Sequence, residues 1–164
     1  MMRVSSRALD EPWMLTPAEL AEVTATQSQT RLGYAVLLTF FREHGRFPRA
    51  IAEVERELIV HLARELGTKT SDFGATFFGS RTARRLRARI RWWFGFRDAT
   101  VADAAALQTW AHETVAAEAG GDATVVVERL EARCREQRIV PPSERRLDRI
   151  VARHRKLTHL GQNF

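Results

Sequence analysis

Gln29-Thr30-Arg31-Leu32-Gly33-Tyr34-Ala35-Val36-Leu37-Leu38-Thr39-Phe40-Phe41-Arg42-Glu43-His44-Gly45 is the stretch from which the fold of this chain is read. Leu32, Tyr34, Val36, Leu37, Leu38, Phe40 and Phe41 cover nearly every face of an α-helix. A helix apolar all round has to be surrounded by other elements, so the spacing predicts a central core helix over residues 29–44. Gly45 ends it, and Pro48 restarts the chain.

Upstream, Thr16-Pro17-Ala18-Glu19 is a capping box with proline at the first helical position, which predicts a short helix. Met1 to Pro12 show no periodicity and read as a flexible arm. Downstream, Ile51, Val54, Leu58, Leu62 and Leu66 recur at helical spacing up to Gly67, with Glu53, Glu55, Arg56 and Glu57 facing water. After a short segment from Ser71 to Phe78, Ser80 caps a helix with Leu86, Ile90, Trp93 and Phe94 as its apolar stripe and Gly95 as its end. Thr100 caps another, turning Leu107, Trp110, Ala111 and Val115 inward until Gly120-Gly121. Asp122 caps the next, with Val126, Leu130 and Cys134 inward. Ile139-Val140-Pro141-Pro142 then leads to Ser143 and a last helix that buries Leu147, Ile150, Val151 and Leu157. No segment alternates with a period of two, and none repeats. The expected fold is all-α, a compact domain of about six to eight helices. Two helical subdomains are expected, residues 13–97 and 98–164, with helix-turn-helix-like elements.

Composition narrows the function. Of 164 residues 45% are hydrophobic and 28% charged, enough to build a core. Cys134 is the single cysteine, so no internal disulfide forms and a reducing, cytoplasmic home is expected. The apolar run Ala35–Phe41 is far short of the ~20 residues of a membrane span, and the N-terminus lacks the apolar region of a signal peptide. No membrane contact is expected. The segment from Phe73 to Arg97 holds seven arginines and no acid, a charge of +7; the whole chain is +6, so the remainder is −1. Basicity this concentrated points to a polyanion.

Arginine presents a planar fork that pairs with phosphate oxygens or with guanine O6 and N7. Arg84, Arg87 and Arg91 share one flank of the basic helix, and Arg85, Arg89 and Trp92 the other; Arg81 and Arg97 flank it. The last helix offers a second basic surface in Arg145, Arg146, Arg149, Arg153 and Lys156. A helix, a short proline-containing connection and a basic helix have the order of a helix-turn-helix. Trp93 shares the phase of Leu86 and Ile90 and is expected in the core, whereas Trp92 is open between packing and base stacking. Trp13 and Trp110 read as packing residues. His44, His61, His112, His154, His159 and Cys134 have no metal-ligand spacing, and Cys134 lies on an apolar stripe. No phosphate-binding glycine loop, dinucleotide motif, nucleophile elbow or zinc-protease helix occurs. No catalytic group, metal or cofactor is expected.

Four stretches resemble, in order and spacing, the N-terminal region of Tn-three-family replicative transposases. The first is Leu15-Thr16-Pro17-Ala18-Glu19-Leu20, and the second runs from Thr30-Arg31-Leu32-Gly33-Tyr34-Ala35 to Gly45-Arg46-Phe47-Pro48. The third leads from Thr82 through Arg89-Ile90-Arg91 to Phe94-Gly95-Phe96-Arg97, and the fourth joins Arg138-Ile139-Val140-Pro141 to Leu147-Asp148-Arg149-Ile150-Val151. The resemblance covers most of the chain, from Trp13 to Lys156. It implies a bipartite reader of double-stranded DNA at the terminal inverted repeats, in a bacterial cytoplasm at the nucleoid. It implies no strand-transfer chemistry, because that family's carboxylate triad lies in a later domain. Protein partners it allows are other transposase domains or a second copy of the chain. Two rival readings stand beside it: a helical protein-interaction domain docking on an acidic partner or on other transposase domains, and a hydrolase or nuclease with a site scattered over several helices.

Overall fold

In the computed structural model, residues 13–115 and 122–161 are described, residues 157–159 and 161 by their backbone alone. The arm at 1–12, the Gly120-Gly121 stop and the Leu157 side chain lie outside the described residues. The chain divides into two compact units, Met1–Phe94 and Gly95–Phe164.

The first unit is built around α2 (Ser28–His44), in which every residue from Leu32 to Phe41 is buried. Its enclosure has a local cause: α1 (Pro17–Thr24), α3 (Arg56–Leu66), α4 (Ala75–Phe78) and α5 (Arg81–Phe94) all pack on it. The Thr16–Glu19 capping box forms as the sequence predicts, the Thr16 hydroxyl accepting from the Glu19 amide at 3.2 Å and the Glu19 carboxylate accepting from the Thr16 amide at 2.9 Å. Glu19 also pairs with Arg42, which ties α1 to the C-terminal end of α2. Gly45 closes α2 at φ 68°, in the left-handed region that glycine enters at no steric cost.

The helix expected from Ile51 starts later. Ile51–Glu53 is a 3-10 turn, Val54 and Glu55 are extended, and α3 begins at Arg56. The reason is Glu53: its carboxylate accepts from Arg46 at 3.0 and 3.2 Å and from the Arg49 amide. Those bonds pin the backbone after Pro48 in a turn. A second 3-10 turn, Thr70–Asp72, and the one-turn α4 fill the segment before Ser80. The Ser80 hydroxyl then accepts from the Ala83 amide at 3.1 Å, which starts α5.

In the second unit, α6 (Val101–Trp110) widens into a π-helical turn, Ala111–Val115, and is followed by α7 (Ala123–Glu136) and α8 (Glu144–Gly161). Leu107, Ala111, Val115, Val126, Leu130, Cys134, Ile139, Leu147, Ile150 and Val151 form its core. Thr100 and Asp103 make a second reciprocal capping box, and the Asp122 side chain accepts from the Thr124 amide at 2.9 Å. Among the described residues there is a two-residue parallel pair: β1 (Arg97–Asp98) runs beside β2 (Ile139–Val140), with Arg97 opposite Ile139. That pairing puts Arg97 in the second unit. The connection from α7 to α8 takes in β2, Pro141 and Pro142, and is longer than the three or four residues that join the helices of a helix-turn-helix.

Candidate nucleic-acid interface

Helix α5 owes its outline to two opposite stripes. Ala83, Leu86 and Ile90 are buried toward α2, and arginines take six of the other positions. At 100° per residue, Arg81, Arg84, Arg85, Ala88 and Trp92 fall within an arc of roughly 100°. All five are exposed. Arg81, Arg84 and Arg85 have no carboxylate partner among the described residues. Three guanidiniums on one helical face with nothing to neutralise them are what an anionic surface requires.

The other arginines of the stretch have internal work. Arg87 is half-buried: it donates to the Phe78 carbonyl at 3.0 Å, and its guanidinium lies 4.9 Å from the Phe78 ring centre. Burial, then the charges of Arg84 and Arg91, lower its pKa from the ordinary arginine value. Arg89 donates to both carboxylate oxygens of Glu22, at 2.6 and 3.3 Å, and stacks over Trp92 at 4.7 Å. This hydrogen bond is the main cause of the lowered Glu22 pKa. Tyr34, whose pKa is raised by burial and then by Glu22, donates its hydroxyl to the same carboxylate at 2.8 Å. Arg97 forms a bidentate pair with Asp103 at 2.6 and 3.0 Å, which depresses the Asp103 pKa. Arg91 is half-buried.

In the second unit, Arg145, Arg149, Arg153 and Lys156 are exposed and Arg146 is half-buried. On α8 these five fall within an arc of roughly 100°, opposite Leu147, Ile150, Val151 and His154. None of the five has a carboxylate partner among the described residues. Residues 1–154 match the model of a family described as Domain of unknown function (DUF4158). The chain belongs to this family. No curated protein matches it.

The remaining features of this DUF4158 chain bear on what the surface can do. A cavity of about 410 Å³ between α2 and α3 is lined by Trp13, Phe40, Glu43, Glu53 and Glu55 together with His44 and Arg46, the last paired with Glu53. A groove of about 360 Å³ in the second unit is lined by Val101, Ala104, Ala105 and Ile150 and by Arg146, Arg149 and Arg153. Among the described residues no three His, Cys, Asp or Glu side chains converge on a metal position, and no helix is long and apolar enough to cross a membrane. Trp93 is half-buried, Trp92 is 67% exposed, and Trp13 and Trp110 are half-buried. Sequence reasoning missed Glu22 and Tyr34, which share the basic face through Arg89. Their separation from Arg89 along the chain leaves no local signal of the contact.

Proposed function

We propose that this chain is a DNA-binding module that engages the terminal inverted repeats of a transposon, as its resemblance to Tn-three-family transposases implies, without carrying the strand-transfer chemistry itself. The observation that supports it most is the exposed row Arg81, Arg84 and Arg85, without a carboxylate partner among the described residues and set in a stretch from Phe73 to Arg97 that contains no acid. A solvated helix face mixes signs; this one offers a track of forks to phosphate oxygens and guanine edges. Arg145, Arg149, Arg153 and Lys156 on α8, with Arg146, give the second unit a surface of the same kind, so each unit supplies one contact of a bipartite reader.

The test is a titration of the chain, at several salt concentrations, with an inverted-repeat duplex from its source genome and with a scrambled duplex. A preference of about tenfold or more, with a steep salt dependence, supports end recognition. Equal affinity for the two removes the sequence-specific part of the reading, and no binding at low salt removes all of it.

The arginine-lined groove between α6 and α8 favours a second reading, a protein-interaction domain. Its mix of apolar and cationic lining suits an acidic amphipathic helix. Binding to such a peptide, with no affinity for duplex DNA at moderate salt, is its mark.

A further inference from the structure

The exposed arc of α5 changes character along its length. Arg81 and Arg85 are followed on the same line by Ala88 and Trp92, so the face passes from two guanidiniums to a methyl group and an indole. Trp92 is 67% exposed, whereas Ile90, two residues earlier, is completely buried. The indole is held in place all the same. Arg89 lies over its ring at 4.7 Å, Glu22 holds Arg89 at 2.6 Å, and Tyr34, 1% exposed, holds Glu22 at 2.8 Å. A line of contacts therefore runs from the core of the first unit to an aromatic ring facing solvent. Ordering an exposed side chain in advance lowers the entropy lost when a partner arrives.

We propose that Ala88 and Trp92 are the apolar half of a DNA-reading face and contact the C5-methyl groups of thymine in the major groove. This rests on the DNA reading above. The thymine methyl is the apolar group that base pairs present in that groove, and guanine O6 and N7 are the acceptors that suit arginine. Both kinds of recognition sit on one line of one helix. At 1.5 Å per residue, Arg81 to Trp92 spans about 16 Å, or roughly five base pairs. The face thus reads a guanine-containing step and, within those base pairs, a thymine-containing one. Arg89 is then a positioning residue, which sets the angle of the indole and leaves contact with the DNA to Arg81, Arg84 and Arg85. Thymine-methyl contact needs no opening of the duplex, so the face works on intact double-stranded DNA.

The experiment starts from a duplex enriched by the whole chain from a randomised pool. The same duplex is then made with deoxyuridine in place of thymidine, which removes the methyl groups and nothing else. The expected result is a loss of about fourfold in affinity for each methyl no longer buried. The slope of affinity against salt stays the same, because no phosphate contact has gone. Trp92→Ala binds the thymidine duplex more weakly and distinguishes it less from the deoxyuridine duplex, keeping only the share of Ala88, while Trp92→Phe keeps the full difference. Equal wild-type affinity for the two duplexes overturns the proposal, as does full discrimination by Trp92→Ala. Either result leaves the DNA reading standing. Failure to enrich any duplex rejects the DNA reading and the methyl contact together.

Discussion

Replacing Arg81, Arg84 and Arg85 together by alanine separates a DNA-contacting role from a structural one. All three are exposed and lack a carboxylate partner among the described residues, so the folded state loses no pairing. Exposed substitutions of this kind change stability by no more than about 0.5 kcal/mol each, and alanine is the better helix former. If each guanidinium neutralises one phosphate, each adds ~0.9 to the slope of log affinity against log salt. The triple variant therefore loses about 2.7 from that slope. Over the fourfold rise from about 50 to 200 mM salt, its affinity falls about 40-fold less than that of the wild type. Arg87→Ala gives the opposite signature. It removes the 3.0 Å bond to the Phe78 carbonyl and the stacking on that ring. The cost is about 1–2 kcal/mol of stability, with little change in salt slope. Fluorescence anisotropy with a labelled duplex gives the slopes, and urea unfolding gives the stabilities. An unchanged slope in the triple variant, or a lowered slope in Arg87→Ala without destabilisation, refutes this division of labour.

Further outcomes follow from the packing. A Cβ on Gly33 would stand 2.2 Å from Cζ of Phe77, so Gly33→Ala should destabilise by about 1–3 kcal/mol in urea unfolding. In a Phe77→Ala background the same change should stabilise by up to about 1 kcal/mol, because only the helix preference for alanine remains. His154 is fully buried, and burial followed by the proximity of His112 lowers its pKa from the ordinary histidine value. The unfolded chain therefore binds the proton more readily than the folded one. The stability held by neutral His154 is complete above the ordinary histidine pKa of about 6.5 and declines as the pH falls below it. His154→Leu should flatten that decline in denaturant midpoints measured from neutral to mildly acidic pH. Burial pushes the Cys134 thiol up to about 11. Its reaction with a disulfide reagent at pH near 8 should therefore follow unfolding of the second unit, and fast labelling of the folded chain would contradict its burial.

Much of this fold was legible because its helices carry strong local signals. Residues Leu32 to Phe41 admit one reading, a helix enclosed on all sides, and the Thr16–Glu19 capping box announces itself over four residues. The Arg97–Ile139 pairing was not legible, since two-residue strands have no period and their partners lie far apart in sequence. Nor was the late start of α3, which depends on Arg46 reaching Glu53. The candidate site was legible in its charge and less so in its use. Spacing alone makes Arg84 and Arg87 equivalent; the fold turns Arg87 onto Phe78 and leaves Arg84 exposed. Arg89, on the other flank, pairs with Glu22 on α1, a contact with no local signal in the sequence.

The central claim is that the exposed arc of α5 lies against duplex DNA, and tethered cleavage tests it most directly. Ala88→Cys supplies an exposed thiol in the middle of the arc for a copper–phenanthroline group, and the buried Cys134 stays unlabelled. Glu57→Cys on α3 is the control from the acidic face. Cuts confined to about five base pairs of a bound duplex from position 88, with none from position 57, are the result expected here. Cuts from position 57 and none from position 88 would contradict it.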